Sequence, residues 1–473
     1  MIRTTAAAAG ARTPVLYALG RAVARAAVPV YFRDVEVLGT EHLPASGPVV
    51  LAANHPQSIT DALVLGWAVP RPLHFLAHSG LFRTPLLAHL LRLSGVLPVY
   101  RPREVEGAAA GNAETFRACR GALEAGGVLA IFPEGVSRAE RRLQPLRTGA
   151  ARIVLEAEAA HGFELGVRLL PVGITFETRT RFRTRVLVRL GAPLDAGAYG
   201  EAHRRDPREA VRVLTEDLRS RLGALIVDLR WEELEALVAD LEATYREDLL
   251  ERGAAAAAGS RFARTEALSR EIARAVEFTA ARRPEVVWRI GRRLRAYRRL
   301  RERLRVSDRF LRGDDAPSRR RAAVTLGASA AAGLPIAAYG ALWNALPYKL
   351  TGRVAKRRAA DETKLHWHQL TWGALFYGLY YPPLLWAAWR ILGPAGAAGF
   401  GASLVPTGFF ARWYAGRLAR RRESLRLAVL LATRGRRVQE LRRRRRQLTA
   451  EIDAAVSDYL AARAREGAPE EGT

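Results

Sequence analysis

His55 and Asp61 are the two residues of this chain best spaced for proton chemistry. They lie in Ala52-Ala53-Asn54-His55-Pro56-Gln57-Ser58-Ile59-Thr60-Asp61, where an apolar run ends and a helical pattern begins. The spacing predicts a strand ending at Ala53, a histidine in the turn and an acid at the start of a helix. One helical turn brings Asp61 beside the imidazole. An acid bonded to one ring nitrogen fixes the tautomer and leaves the other nitrogen free to take a proton. That is the orienter and base of a catalytic triad, with a substrate hydroxyl left to be the nucleophile. Taken alone, the same residues also fit a helix cap at Asp61 and a plain turn histidine.

Three further segments end apolar runs in the same way. One is Ile131-Phe132-Pro133-Glu134-Gly135-Val136-Ser137-Arg138, followed by Leu143-Gln144-Pro145-Leu146-Arg147-Thr148-Gly149-Ala150-Ala151-Arg152. The others are Gly95-Val96-Leu97-Pro98-Val99-Tyr100-Arg101 and Leu170-Pro171-Val172-Gly173. Candidate strands at 49–53, 96–100, 128–132, 169–176 and 186–190 alternate with helical patterns at 61–68, 112–124 and 148–160. Such alternation predicts an α/β domain with a sheet flanked by helices. In an open α/β sheet the strand ends meet at one crevice, so these loops share a site. Arg101, Arg138 and Arg147 then offer planar guanidinium forks to a phosphate.

On these four ordered blocks, at His55/Asp61, 95–101, 132–135 and around Pro171, residues 34–200 resemble the glycerolipid acyltransferase family. That family includes glycerol-3-phosphate and lysophosphatidate acyltransferases. The Leu-x-Pro-Leu-Arg-Thr-Gly-Ala-Ala-Arg run and the apolar C-terminal region look like the branch of yeast-type glycerol-3-phosphate/dihydroxyacetone-phosphate acyltransferases and their bacterial relatives. Two departures stand out. Five residues separate the histidine from the aspartate where the family usually has four, a longer form also found in that branch. The usual Phe-Pro-Glu-Gly-Thr-Arg-Ser is here Phe-Pro-Glu-Gly-Val-Ser-Arg, which moves the arginine to 138 and makes Arg147 a competitor for its phosphate role.

The resemblance implies acyl transfer from acyl-CoA or acyl-carrier protein to a hydroxyl of glycerol-3-phosphate or a 1-acyl lysophosphatidate. Dihydroxyacetone phosphate or another lysolipid is the alternative acceptor. His55 would remove the hydroxyl proton while Asp61 orients it. Glu134 and Gly135 would shape the acceptor pocket, and Asn54, Arg101, Arg138 and Arg147 complete the expected substrate-binding set. No metal or other cofactor is implied, because a thioester is already an activated acyl donor. His74, His78 and His89 follow no ligand spacing, His366 and His368 read as surface residues flanking Trp367, and Cys119 reads as a small core residue.

The rest of the chain of 473 residues divides by composition. Residues 1–33 end in an amphipathic helical pattern and lack the apolar core of a cleaved signal peptide. The acyltransferase domain is expected at 34–204. An Arg-rich helical region follows at 205–321, with sixteen arginines against five acids from Arg282 to Arg321. Three uncharged apolar stretches at 322–348, 370–389 and 394–411 predict a membrane region over 322–411, and a basic helical tail occupies 412–473. About 20 apolar residues span the hydrocarbon core, so 370–389 and 394–411 are expected to form a hairpin turning at Gly393–Pro394, with 322–348 re-entrant. Basic flanks on both sides of the hairpin place them and the active site on the cytoplasmic side of the inner membrane.

With 75 Lys and Arg against 47 Asp and Glu, the net charge of +28 calls for an anionic partner. An anionic-lipid or nucleic-acid binding protein built on the Arg-rich helices is the rival from another class. The apolar neighbours of those helices and the lack of a nucleic-acid module favour anionic membrane over nucleic acid. One cysteine excludes a disulfide framework and any multi-cysteine metal site.

Overall fold

A strand buried on both faces must be apolar at every position, and Val49–Ala53 meets that demand: all five residues are buried. The computed structural model describes residues 15–100, 108–138, 140–229, 231–251, 259–304, 306, 308, 311, 319–359 and 361–466. Its strands are β1 (Asp34–Leu38), β2 (Val49–Ala53), β3 (Leu73–His78), β4 (Leu97–Val99), β5 (Val128–Ile131), β6 (Arg168–Phe176), β7 (Arg185–Leu190) and β8 (Leu194–Asp195). They form one mixed sheet in the order β1-β7-β6-β2-β5-β3-β4, with β8 beside β6. β2 lies between β5 and β6 and is parallel to both, whereas β7 pairs antiparallel with β6. The helices of this part are α1 (Val15–Tyr31), α2 (Ile59–Ala68), α3 (Pro85–Leu93), α4 (Ala108–Glu124), α5 (Gly149–Ala159), α6 (Gly200–Arg205) and α7 (Pro207–Leu225). One core cluster joins Val50 and Leu129 of the sheet to Leu123, Val154 and Leu214 of α4, α5 and α7.

β1 and β3 are strands that apolar periodicity does not reveal. Asp34 and Glu36 break the apolar run in β1, and His74 and His78 do so in β3. α7 falls inside the region expected to be a separate Arg-rich part, yet it packs with the sheet domain. Its Ala210, Leu214, Leu218 and Leu222 recur every fourth residue and are fully buried.

The chain divides into two compact units. The first comprises 1–229 with 256–267 and 359–367, and the second 230–255, 268–358 and 368–473. In the first, α1 is partly sunk into the fold: Val28 and Tyr31 are buried while Leu19, Val23 and Val30 remain exposed. The expectation that His366 lies at the surface is wrong. Its ring is fully buried, stacked on Phe176 and edge-on to Tyr31, whose hydroxyl lies 2.6 Å from Nδ1. Burial holds this imidazole down to a pKa of about 4, so it is neutral at physiological pH. Cys119 is buried in the sheet core.

The second unit is helical, built from α8 (Glu235–Glu251), most of α9 (Arg261–Arg282), α10 (Pro284–Leu304), α11 (Arg319–Arg358) and α12 (Glu362–Glu466). α8, α9, α10 and the end of α12 line a small apolar pocket of about 50 Å³ between Tyr245, Val276, Ile290 and Ile452. In the same unit Arg445 is buried between Asp248 (2.5 Å) and Asp308 (3.1 Å). α12 is not one straight rod. At Gly393 the backbone takes φ +73°, and a Cβ at Gly401 would stand 2.9 Å from the Leu385 side chain. Along a straight helix those residues would be about 24 Å apart, so the chain reverses at Gly393.

α11 packs against both arms of this hairpin. A side chain on Gly340 would collide with the carbonyl of Thr407. Asn344 donates to Leu404 O at 3.1 Å and accepts from the Tyr381 hydroxyl at 2.7 Å. The polar contacts therefore point inward, and the apolar side chains point out: Leu342, Leu379, Trp386 and Ile391 are 63–80% exposed. The expected transmembrane helices are not found. Among the described residues, no helix is long and apolar enough to cross a membrane. The physical reason lies in composition: 370–389 carries six Trp and Tyr from Trp372 to Trp389, and also Pro382 and Pro383, where a spanning helix is mainly aliphatic.

Candidate functional site

β2 and β5 are parallel neighbours, with Ala52 opposite Ile131, so the loops leaving them emerge side by side. His55 leaves the first loop and Phe132 to Gly135 forms the second. The imidazole stacks on the Phe132 ring with centroids 4.1 Å apart and planes 19° apart. Its Nδ1 lies 2.9 Å from Oδ2 of Asp61, in the first turn of α2. A carboxylate there accepts the Nδ1 proton and leaves a lone pair on Nε2, the tautomer a general base requires. The His55 side chain is 19% exposed while Asp61 is wholly buried. The acid is thus shielded and the base is open.

Burial pushes the Asp61 carboxyl above the usual carboxylate range. The His55 hydrogen bond and charge, the Gln57 N–H and the charge of Arg179 pull the other way. Asp61 Oδ2 also accepts from Gln57 N at 2.7 Å, so one oxygen holds both ends of the turn.

Glu134 works between the two loops. Its Oε1 accepts from the backbone N–H of His55 at 2.8 Å and its Oε2 from that of Gln144 at 3.0 Å. Burial raises its carboxyl too, against the pull of these two N–H groups. Gly135 turns the chain at φ +65°, and a Cβ there would stand 2.5 Å from Nε of Arg147. Only glycine lets the Arg147 side chain lie flat on this turn, and Arg147 N bonds to Pro133 O at 2.8 Å. The Arg147 side chain thereby lies along the Glu134 loop. Arg147 and Arg138 are both exposed.

Asn54 is committed to the sheet: it donates to Ile174 O at 3.1 Å and accepts from Ile174 N at 2.7 Å. Arg101 lies outside the described residues. Two contributors were not singled out by residue type, Ser137 and Gln144. Ser137 Oγ donates to His55 O at 2.8 Å and accepts from Ser58 N at 2.9 Å. A serine in a loop gives no periodic signal, and its partners are known only once the two loops meet. Among the described residues no three His, Cys, Asp or Glu side chains are grouped to hold a metal ion.

Residues 34–175 match the family model described as Acyltransferase. Over 112 residues the chain is 35% identical to glycerol-3-phosphate O-acyltransferase 2 of Saccharomyces cerevisiae, covering 24% of this chain and 15% of that protein. Over 151 residues it is 27% identical to the chloroplastic 1-acyl-sn-glycerol-3-phosphate acyltransferase BAT2 of Brassica napus, covering 31% and 39%. The chain thus spans well under half the length of these relatives. Among solved structures, the 1-acyl-sn-glycerophosphate acyltransferase PlsC of Thermotoga maritima covers 44% of this chain and 79% of its own at 22% identity, with a TM-score of 0.30. The family model and the four blocks fall on one region: residues 34–175, which match the Acyltransferase model, hold His55, Asp61 and the Glu134 turn.

Proposed function

We propose that this chain is a membrane-bound O-acyltransferase of phospholipid synthesis. It moves a fatty acyl group from acyl-CoA or acyl-carrier protein to a hydroxyl of glycerol-3-phosphate or a 1-acyl lysophosphatidate. The observation that carries this reading is the His55–Asp61 pair at 2.9 Å, with the histidine side chain 19% exposed and the acid buried, inside the stretch that matches the Acyltransferase family model. Nε2 takes the proton of the acceptor hydroxyl as its oxygen attacks the thioester carbonyl. The tetrahedral intermediate collapses, the C–S bond breaks, and the imidazolium returns the proton to the departing thiolate. Asp61 stabilises the imidazolium formed between the two steps. Arg147, laid on the Gly135 turn that follows Glu134, supplies a fork for the acceptor phosphate, with Arg138 of the same loop and Arg101 of the 95–101 block as further expected cations. Because the thioester is already activated, the transfer draws on side chains alone.

Membrane attachment is supported by the inverted packing of α11 and the α12 hairpin. Exposed Leu379, Trp386 and Ile391 need a partner other than water, and Lys356, Arg357, Arg358 and Arg417 stand along the same helices. A cytoplasmic-facing site on the inner membrane would meet glycerol phosphates and acyl donors directly. Against nucleic acid, several arginines of the Arg-rich helices are paired within the second unit, Arg283 with Asp458 and Arg298 with Asp240 and Glu302.

The test is an assay of the purified full chain in anionic vesicles. Palmitoyl-CoA and acyl-carrier protein are the donors, and glycerol-3-phosphate, dihydroxyacetone phosphate and 1-acyl lysophosphatidate are the acceptors. Ester formation with one of these acceptors is expected. Thioester hydrolysis alone, or no reaction with any acceptor, would overturn the reading.

A further inference from the structure

Asp61 reaches His55 across a turn that is strained at one residue. Ser58 has φ 54° and ψ −132°, a conformation that favours glycine because a side chain there crowds the backbone. Thr60 N bonds to Gln57 O at 3.2 Å and Asp61 N to Ser58 O at 3.1 Å, so this one residue sets the path from the turn into α2. If Ser58 relaxed to negative φ, the start of α2 would swing and carry Asp61 with it.

What opposes that relaxation comes from the other loop. Ser137 Oγ accepts from Ser58 N at 2.9 Å and donates to His55 O at 2.8 Å, so one hydroxyl fastens both the strained residue and the base. Glu134, three residues earlier, takes the His55 N–H. The backbone of His55 is therefore gripped at its N–H by Glu134 and at its C=O by Ser137. A hydroxyl that both donates and accepts has its rotation fixed and tolerates little displacement of either partner.

We infer that Ser137 is a positioning residue, holding the strained turn at Ser58 so that Asp61 stays within hydrogen-bond reach of His55. Its kinetic consequence rests on the acyltransferase reading above, while its structural consequence does not. Displacement of a catalytic group by about 1 Å costs up to about 100-fold in rate. Ser137→Ala should therefore lower kcat by roughly 10- to 100-fold and leave KM for donor and acceptor within about twofold. Ser137→Thr keeps the hydroxyl and should keep the rate. Ser58→Gly removes the strain, so adding it to Ser137→Ala should restore most of kcat.

The experiment measures these rates together with amide hydrogen exchange of the full chain over residues 55–61. Faster exchange is expected in Ser137→Ala, with slow exchange recovered in Ser137→Thr and in the Ser58→Gly, Ser137→Ala pair. Wild-type exchange in Ser137→Ala would overturn the inference whatever the enzyme's activity. Were the parent chain inactive on every acceptor, the exchange result would still decide the clamp while the acyltransferase reading alone fell. Should Ser137→Ala fail to fold, the single variant Ser58→Gly decides. Its Tm should rise by about 2–4 °C in the parent, and a fall would contradict the strain on which the clamp depends.

Discussion

The two units treat apolar sequence in opposite ways. In the first, Val49–Ala53 is buried from end to end, and polar residues gather in the loops beyond the strand. In the second, the arms of the α12 hairpin turn Leu379, Trp386 and Ile391 outward and keep Asn344, Tyr381 and the Leu404 carbonyl inside. A fold packed for water hides its apolar groups, because each one buried contributes about 1.5–3 kcal/mol. A bundle with the reverse arrangement lacks that contribution until something apolar covers it. An uncharged run in the sequence thus has two physical meanings, and the hydrogen bonds inside it tell them apart.

The contrast can be broken at either end. The largest effect is expected at the base: His55→Ala should lower kcat by roughly 10²–10⁴-fold while the far-UV spectrum stays unchanged. Near-normal turnover would mean the polar loops of the first unit are structural only. Next, Leu379→Glu, Trp386→Glu and Ile391→Glu together should weaken vesicle binding by at least about 100-fold, since each removes a side chain's worth of apolar transfer. Vesicle flotation reads this directly, and flotation unchanged by the triple substitution would remove the hairpin from the lipid contact.

A smaller effect separates two arginines. Arg147→Ala should raise the acceptor KM by about tenfold and Arg138→Ala by less, because only Arg147 is laid against the Gly135 turn. Equal or reversed effects would move the phosphate to Arg138. The smallest concerns stability. Burial holds the Asp61 carboxyl above its ordinary range. An acid raised in this way stabilises the fold while protonated, below its unfolded pKa, and loses that contribution as pH rises through the folded value. Asp61→Asn removes the loss, so its Tm relative to the parent should climb from acid to neutral pH. A constant or falling difference would contradict the buried, raised carboxyl.

Much of the first unit was legible because its central strands are uninterrupted apolar runs. β2 begins and ends where its sequence indicates, and α2, α4 and α5 each fall within a few residues of their helical patterns. β1 and β3 were hidden because acids and histidines interrupt them, and the membership of α7 depends on what its stripe of alanine and leucine meets. The reversal at Gly393 was readable from a glycine and proline inside an apolar stretch. Crossing helices were not borne out, since the count of uncharged residues treats tyrosine, tryptophan and proline as if they were leucine. At the site, His55 and Asp61 stand out by type and spacing. The roles of Ser137, Gln144 and Asn54 arise from contacts 10 to 120 residues away in sequence, which no local pattern encodes.

The central claim is that His55 and Asp61 act as one proton-handling unit, and a double-mutant cycle tests it most directly. Initial rates of acyl transfer to glycerol-3-phosphate would be compared among the parent, His55→Ala, Asp61→Ala and the double variant. If the aspartate acts only through the histidine, the double variant should be no slower than His55→Ala, within about twofold. Losses that multiply, with the double variant slower by the full Asp61→Ala factor, would show the two residues acting independently and contradict the account.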